Sequence, residues 1–282
     1  APSLQFSSVA NITYPDVYQE FLDGVDVVNF DLSWILSTGC IIDVDFHARL
    51  LMSTIGPLIG MAVLGATYLE AVSRNRGCDT ALDRIRQKHL SMVLLLMFLV
   101  YSSVSATLFQ MFACDELDDG KNYLRADYRI ECDSSRHEAL KIYAAFMIVL
   151  YTTGIPLYYA ILLYTNRDML TDEFGRDSNV RVKSTTDLWK PYKPDRFYYE
   201  VIECCRRIML AGVVVFIYPN TAAPIAVTIL LVVFFIFVSE ARAPYSCRQD
   251  AWVNRTGNVI IFLSMYVALL LKLDVSNEED SS

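Results

Sequence analysis

The chain has 282 residues, 54% hydrophobic and 20% charged, with a formal net charge of −8. That apolar share, with a mean hydropathy of +0.33, exceeds the roughly 45–50% of soluble domains and excludes an ordinary soluble globular protein. The acidic balance offers nothing to a nucleic acid, whose binding rests on clustered Lys and Arg.

Several apolar runs reach the roughly 20 residues that a bilayer span needs. They predict an all-α fold: a polytopic transmembrane bundle of about six spans, with a small exoplasmic N-terminal segment and a disulfide-closed exoplasmic loop. Ala1 is not Met and no signal peptide precedes it, so the chain is expected to be a piece of a longer protein, with upstream extracellular domains missing.

Residues 1–48 carry Asp16, Glu20, Asp23, Asp26, Asp31, Asp43 and Asp45 and no Lys or Arg. Asn11-Ile12-Thr13 is a glycosylation sequon, with Asn11 as acceptor. After the break at Tyr14-Pro15, Phe21, Leu22, Val25 and Val28 recur at helical spacing and predict an amphipathic helix. The first span is 49–72. Gly56-Pro57 predicts a kink, and Gly56 with Gly60 permits close helix approach. The loop 73–89 holds Arg74, Arg76, Arg84, Arg86 and Lys88 against Asp79 and Asp83. The positive-inside rule makes it cytoplasmic, which puts 1–48 outside.

The second span, 90–113, leads to an acidic loop bounded by Cys114 and Cys132. This topology puts the loop outside, where disulfides persist, so the two cysteines are expected to pair. Asp115, Asp118 and Asp119 make a weak candidate cation site, but Leu117 and Ala126 stand where an EF-hand needs ligands. A solvated acidic face is the plainer reading. The third span, 139–165, is expected to bend at Gly154–Pro156. The loop 166–196 mixes both charges and ends in Trp189-Lys190-Pro191-Tyr192-Lys193-Pro194, which suits an interfacial belt.

The fourth predicted span, 197–218, carries Glu200, Glu203, Arg206 and Arg207. Each charge at a membrane's centre costs about 2.5–3.5 kcal/mol on insertion scales. Glu203 precedes Arg206 by three and Arg207 by four residues, so either arginine shares its helix face. Two readings stand: the charges snorkel to head groups, or they pair on a face turned into the bundle. The fifth span is 222–239. The connection 240–256 carries Arg242, Arg248 and Arg255 and is expected inside, which leaves the sequon at Asn254 unused. The sixth span is 257–273, and 274–282 is an acidic tail.

No HExxH, GxSxG, phosphate loop or CxxC occurs. No enzyme activity, catalytic residue, cofactor or metal is therefore expected. His47, His89 and His137 fall on separate segments, and the adjacent Cys204 and Cys205 point to different helix faces. Cys40 has no evident partner, which fits a bond to an upstream domain.

Three stretches carry a resemblance. They are Phe112-Ala113-Cys114 with Tyr123–Tyr128 and Cys132; Tyr199–Glu203 with Arg206-Arg207; and Ala243-Pro244-Tyr245 with Leu269–Asp274. Together they resemble the TRP-like (transient receptor potential-like) membrane domain at the C-terminal end of large cysteine-rich or EGF-repeat proteins of single-celled eukaryotes. The resemblance covers most of the chain from about residue 5 onward. It implies a channel-class integral membrane protein, passing cations or sensing force or a ligand. It also implies at least one more helix beyond Ser282. A departure stands against it: a TRP-type channel places its filter outside, between its last two spans, whereas 240–256 is basic and lacks filter-like residues. The alternative is a non-conducting anchor or receptor module for a large extracellular region. Expected partners are membrane lipids, further copies in a homo-oligomer or larger membrane assembly, and the upstream domains. The expected location is the plasma membrane or an endomembrane.

Overall fold

The computed structural model describes residues 45–76, 79–117, 120–172, 176, 182–212 and 223–279, with side chains as far as Lys272. The elements in order are α1 (Phe46–Arg74), α2 (Asp79–Gln110), β1 (Cys114–Glu116), β2 (Asn122–Leu124), β3 (Asp127–Glu131) and α3 (Ser135–Met147). A π-helical turn, Ile148–Thr153, joins α3 to α4 (Gly154–Thr165). The short helices α5 (Arg167–Leu170) and α6 (Thr186–Trp189) follow, then α7 (Tyr199–Ala211), α8 (Ala223–Arg242) and α9 (Arg248–Glu279).

Among the described residues, five helical stretches are long and apolar enough to cross a bilayer: Phe46–Arg74, Asp79–Gln110, Ser135–Thr165, Ala223–Arg242 and Arg248–Lys272. Their outer faces leave Ile59, Ile142, Leu230 and Phe237 exposed by 59, 74, 68 and 71%. Large apolar side chains spread this widely are a liability in water and the ordinary solution in lipid. The chain is thus an integral membrane protein built of apolar helices.

The predicted fourth span, 197–218, is described only in part. Its described part is α7, 13 residues long, too short to cross a bilayer at 1.5 Å per residue. Residues 213–222 lie outside the described residues. Two predicted loops are shorter than expected. Residues from Asp79 already belong to α2 and those from Arg248 to α9. Arg, Lys and Gln are good helix formers, so basic stretches beside an apolar run extend the helix instead of ending it.

The helices alternate between two ends. The backbone N–H of Phe46 bonds Asp127 Oδ2 at 3.4 Å, which sets the start of α1 against the sheet. α1 runs to the far end, and α2 returns to lead into β1. Gly60 lies against Leu96 of α2, whereas a side chain at Gly56 would meet open space, so only Gly60 serves close helix approach. The helix continues unbroken through Pro57.

The bend expected at Gly154–Pro156 is taken up by the π turn just before it. Pro156 has no N–H to give to the carbonyl four residues back. The Gly154 N–H reaches the Val149 carbonyl, five residues back, and the chain widens by one residue there. Polar bonds fix this level of the bundle: Tyr151 Oη donates to the Thr54 carbonyl at 2.7 Å, and Thr152 Oγ1 to Ser105 Oγ at 3.3 Å.

The loop predicted between the second and third spans is a three-stranded antiparallel sheet in the order β1-β2-β3. Cys114 stands opposite Leu124 in the β1–β2 register. Gly120 turns the chain with φ +74°, a conformation that other residues adopt at a cost. The expected Cys114–Cys132 disulfide is present, with 6.5 Å between the Cα atoms. It ties β1 to the residue after β3. Leu124, Ile130 and Cys132 join the core, so the sheet is packed onto the bundle.

Candidate functional site: a buried charge network

The four charges of α7 are gathered in pairs inside the protein. Glu200 and Glu203 are each 5% exposed. Arg206 Nε donates to Glu203 Oε2 at 2.8 Å. Arg207 is not the partner of Glu203; its Nη2 lies 3.7 Å from Glu200 Oε1, two turns back. The Arg207 guanidinium also sits 5.0 Å from the Phe98 ring centroid on α2, a cation–π distance.

Glu200 has a second anchor. Tyr192 Oη donates to Glu200 Oε2 at 2.8 Å. Tyr192 comes from the segment before α7 and packs its ring 5.4 Å from both Tyr199 and Tyr245. Burial, then the neighbouring Glu200 carboxylate, pushes the Tyr192 hydroxyl far above its ordinary range, so it stays a protonated donor. The segment is stitched to the α8–α9 turn by backbone bonds from Lys193 N–H to the Pro244 carbonyl, 2.8 Å, and from Ser246 N–H to the Pro191 carbonyl, 2.9 Å. Ala243 accepts φ +39° to make that turn.

From Arg206 the network crosses to α9 and on to α8. Arg206 Nη1 donates to Asn258 Oδ1 at 3.3 Å, and Asn258 Nδ2 to Asn254 Oδ1 at 3.4 Å. Asn254 Nδ2 reaches Ser239 Oγ of α8 at 3.1 Å. The path Glu203–Arg206–Asn258–Asn254–Ser239 therefore runs from α7 through α9 to α8. It ties α7, α8 and α9 together by polar groups alone, in surroundings where an unpaired polar group is costly. The Asn254 amide is thus held inside a helix by Ser239.

Other predicted residues fall elsewhere. Asp115 is bound to Arg125, whose Nε lies 2.9 Å from Oδ2, and Tyr128 donates to the same oxygen at 3.1 Å. It is an internal ion pair and not a free cation ligand. Asp118, Asp119, Asn11 and Cys40 lie outside the described residues. Cys204 is buried and Cys205 exposed, as adjacent helix positions require.

Sequence reasoning missed two groupings. The interfacial belt expected at Tyr192 gives no local signal of its bond to Glu200. His47 and His137, 90 residues apart, meet with Nε2 and Nδ1 3.2 Å apart.

Fold and network together define a helical integral membrane protein with an internal ion-paired cluster. Comparison with family models, characterised proteins and solved structures finds no match to this chain.

Proposed function

We propose that this chain is the membrane domain of a TRP-like, channel-class protein, and that the Glu200/Glu203/Arg206/Arg207 network is its working part. One observation carries the reading: the four charges are turned into the bundle and paired there, not extended outward. A simple anchor has no need of such groups, which cost free energy to bury and are usual where ions pass or helices switch position. The network latches α7 to α8 and α9, and exchanging its partners would free α7 to move.

The orientation follows from charge. Arg74, Arg84, Arg86 and Lys88 cluster at the end away from the sheet, which makes that end cytoplasmic. The disulfide-closed sheet then faces outside, with the N-terminal segment, in an environment that keeps disulfides oxidised.

Planar-bilayer recording of the purified protein tests the proposal. Cation current altered by Glu203→Gln supports it. Absence of current at all potentials, with a folded protein, rejects it in favour of a non-conducting anchor or receptor module. That second reading draws on the α8–α9 turn, Ala243–Cys247, which is too short for a pore loop and is stitched to Pro191 and Lys193.

A further inference from the structure

The disulfide has a neighbour that packing alone does not explain. His137 is fully buried, and the ligand atoms of Cys114, Cys132 and His137 lie within 4.8 Å of one another. His137 Nδ1 faces His47 Nε2, while His137 Nε2 has no hydrogen-bond partner among the described residues. Leaving a buried polar atom unpaired is costly. A histidine needed only as filler would be replaced by an apolar side chain without that cost.

We propose that Cys114, Cys132 and His137 form a redox-gated site for one thiophilic d10 cation of the Zn2+ class. With the disulfide formed, the sulfurs are bonded to each other and the site is closed. Reduction by a dithiol moves two electrons and two protons onto the two sulfurs and leaves the reductant as its own disulfide. Zn2+ then displaces the two thiol protons and takes the free Nε2 lone pair of His137. Two thiolates and one neutral imidazole on Zn2+ make an electrically neutral group, which a buried position tolerates. Water supplies the fourth ligand.

The local structure suits this assignment. Tetrahedral Zn2+, with bonds of about 2.3 Å to sulfur and about 2.0–2.1 Å to nitrogen, holds its ligand atoms roughly 3.5–3.8 Å apart. The ligand atoms of the three groups lie within 4.8 Å of one another, and the sulfurs need only part from their bond. Each comes from a fixed element. Cys114 opens β1. Cys132 gives its N–H to the Asn122 carbonyl at 2.8 Å. His137 lies in the first turn of α3, with its N–H on the Ser134 cap at 3.4 Å. Behind His137 stand His47 and, 3.7 Å from His47 Nδ1, Asp45. A carboxylate and a ring behind a ligating histidine orient it and fix its tautomer.

The test uses the intact protein in lipid nanodiscs, reduced by a dithiol that is then removed without air. Reduced protein should bind one equivalent of Zn2+ more than oxidised protein. Co2+ in its place should give the thiolate-to-cobalt absorption of a tetrahedral site. His137→Gln should weaken Zn2+ at least roughly tenfold and shift that absorption, and His47→Gln should weaken it by roughly 10–100-fold with the absorption unshifted. Should the variants not fold, alkylation of the wild-type reduced protein, mapped by peptide, decides. Zn2+ should slow reaction at Cys114 and Cys132 by about tenfold or more and leave exposed Cys205 unchanged. Equal Zn2+ uptake by oxidised and reduced protein, unchanged affinity in folded His137→Gln, or unprotected Cys114 and Cys132 overturns the proposal.

Discussion

Arg206 and Glu203 face each other one turn apart on α7, nitrogen to oxygen 2.8 Å, with side chains only 14 and 7% exposed. A buried pair is weak evidence of net stability, because both charges are desolvated, but removing one partner strands the other. Glu203→Gln should therefore cost about 3–5 kcal/mol. The charge-exchanged Glu203→Arg/Arg206→Glu protein should recover part of it. The exposed pair Arg255–Glu240 is the control, and Glu240→Gln should cost about 1 kcal/mol or less. Thermal unfolding in nanodiscs measures all three, and an unchanged midpoint for Glu203→Gln would remove the latch.

Tyr192→Phe keeps the ring between Tyr199 and Tyr245 and deletes only the hydroxyl that serves Glu200. A hydrogen bond to a charged group contributes about 1.5–3 kcal/mol, so a loss in that range is expected. Tyr245→Phe, assayed alongside, should lose less if the bond to Glu200 is what matters.

Gly212 has no room for a side chain, because a Cβ there would run into the Phe109 ring. Gly212→Ala should cost about 1–3 kcal/mol through overpacking. Adding Phe109→Leu should restore most of it. A tolerated Gly212→Ala would show that α7 and α2 are farther apart in the membrane.

The Asp115–Arg125 pair makes a pH prediction for the sheet. Hydrogen bonding from Arg125, joined by its charge and by the Tyr128 hydroxyl, outweighs burial and holds the Asp115 carboxyl below its ordinary value of 3.8. A carboxyl depressed in the folded state stabilises fully above its unfolded value, and that contribution fades as pH falls through the folded value. The sheet should thus be indifferent to pH from neutral down to about 5 and loosen only below about 4. Hydrogen exchange of the β1–β2 amides measures this. Asp115→Asn should abolish the acid-dependent part, and a transition near pH 6 would contradict the assignment.

Breaking the disulfide by the double substitution Cys114→Ser/Cys132→Ser should cost about 3 kcal/mol for a loop of 18 residues. Non-reducing peptide mapping of the wild type should recover the two cysteines linked.

Hydropathy carried most of the architecture, because a span's apolar length is a property of the local sequence. The spans near Phe46–Arg74 and Ala223–Arg242 were legible for that reason. The ends of α2 and α9 were not, since their charged first turns are compatible with helix or loop. The Cys114–Cys132 pair followed from topology, but the strands beside it are three to five residues long and carry little periodicity. On α7 the spacing allowed Glu203 either arginine. The choice of Arg206 depends on Asn258, 52 residues away. The pairing of His47 with His137 is a purely tertiary fact of the same kind.

The π turn in the third span sets the phase of everything after it. From Met147 one row of buried residues falls at every fourth position: Tyr151, Ile155, Tyr159 and Leu163. At about 100° per residue, four steps of four drift roughly 160° around a regular helix and would carry Leu163 to the outer surface. The extra residue taken up at Ile148–Thr153 winds the helix back by about 100° and keeps that row pointing inward. Deleting one residue within the turn would give a more regular helix and a worse protein. The Tyr159 hydroxyl would swing away from the Leu94 carbonyl, now 3.4 Å distant, and half of the span would show its wrong side to the lipid.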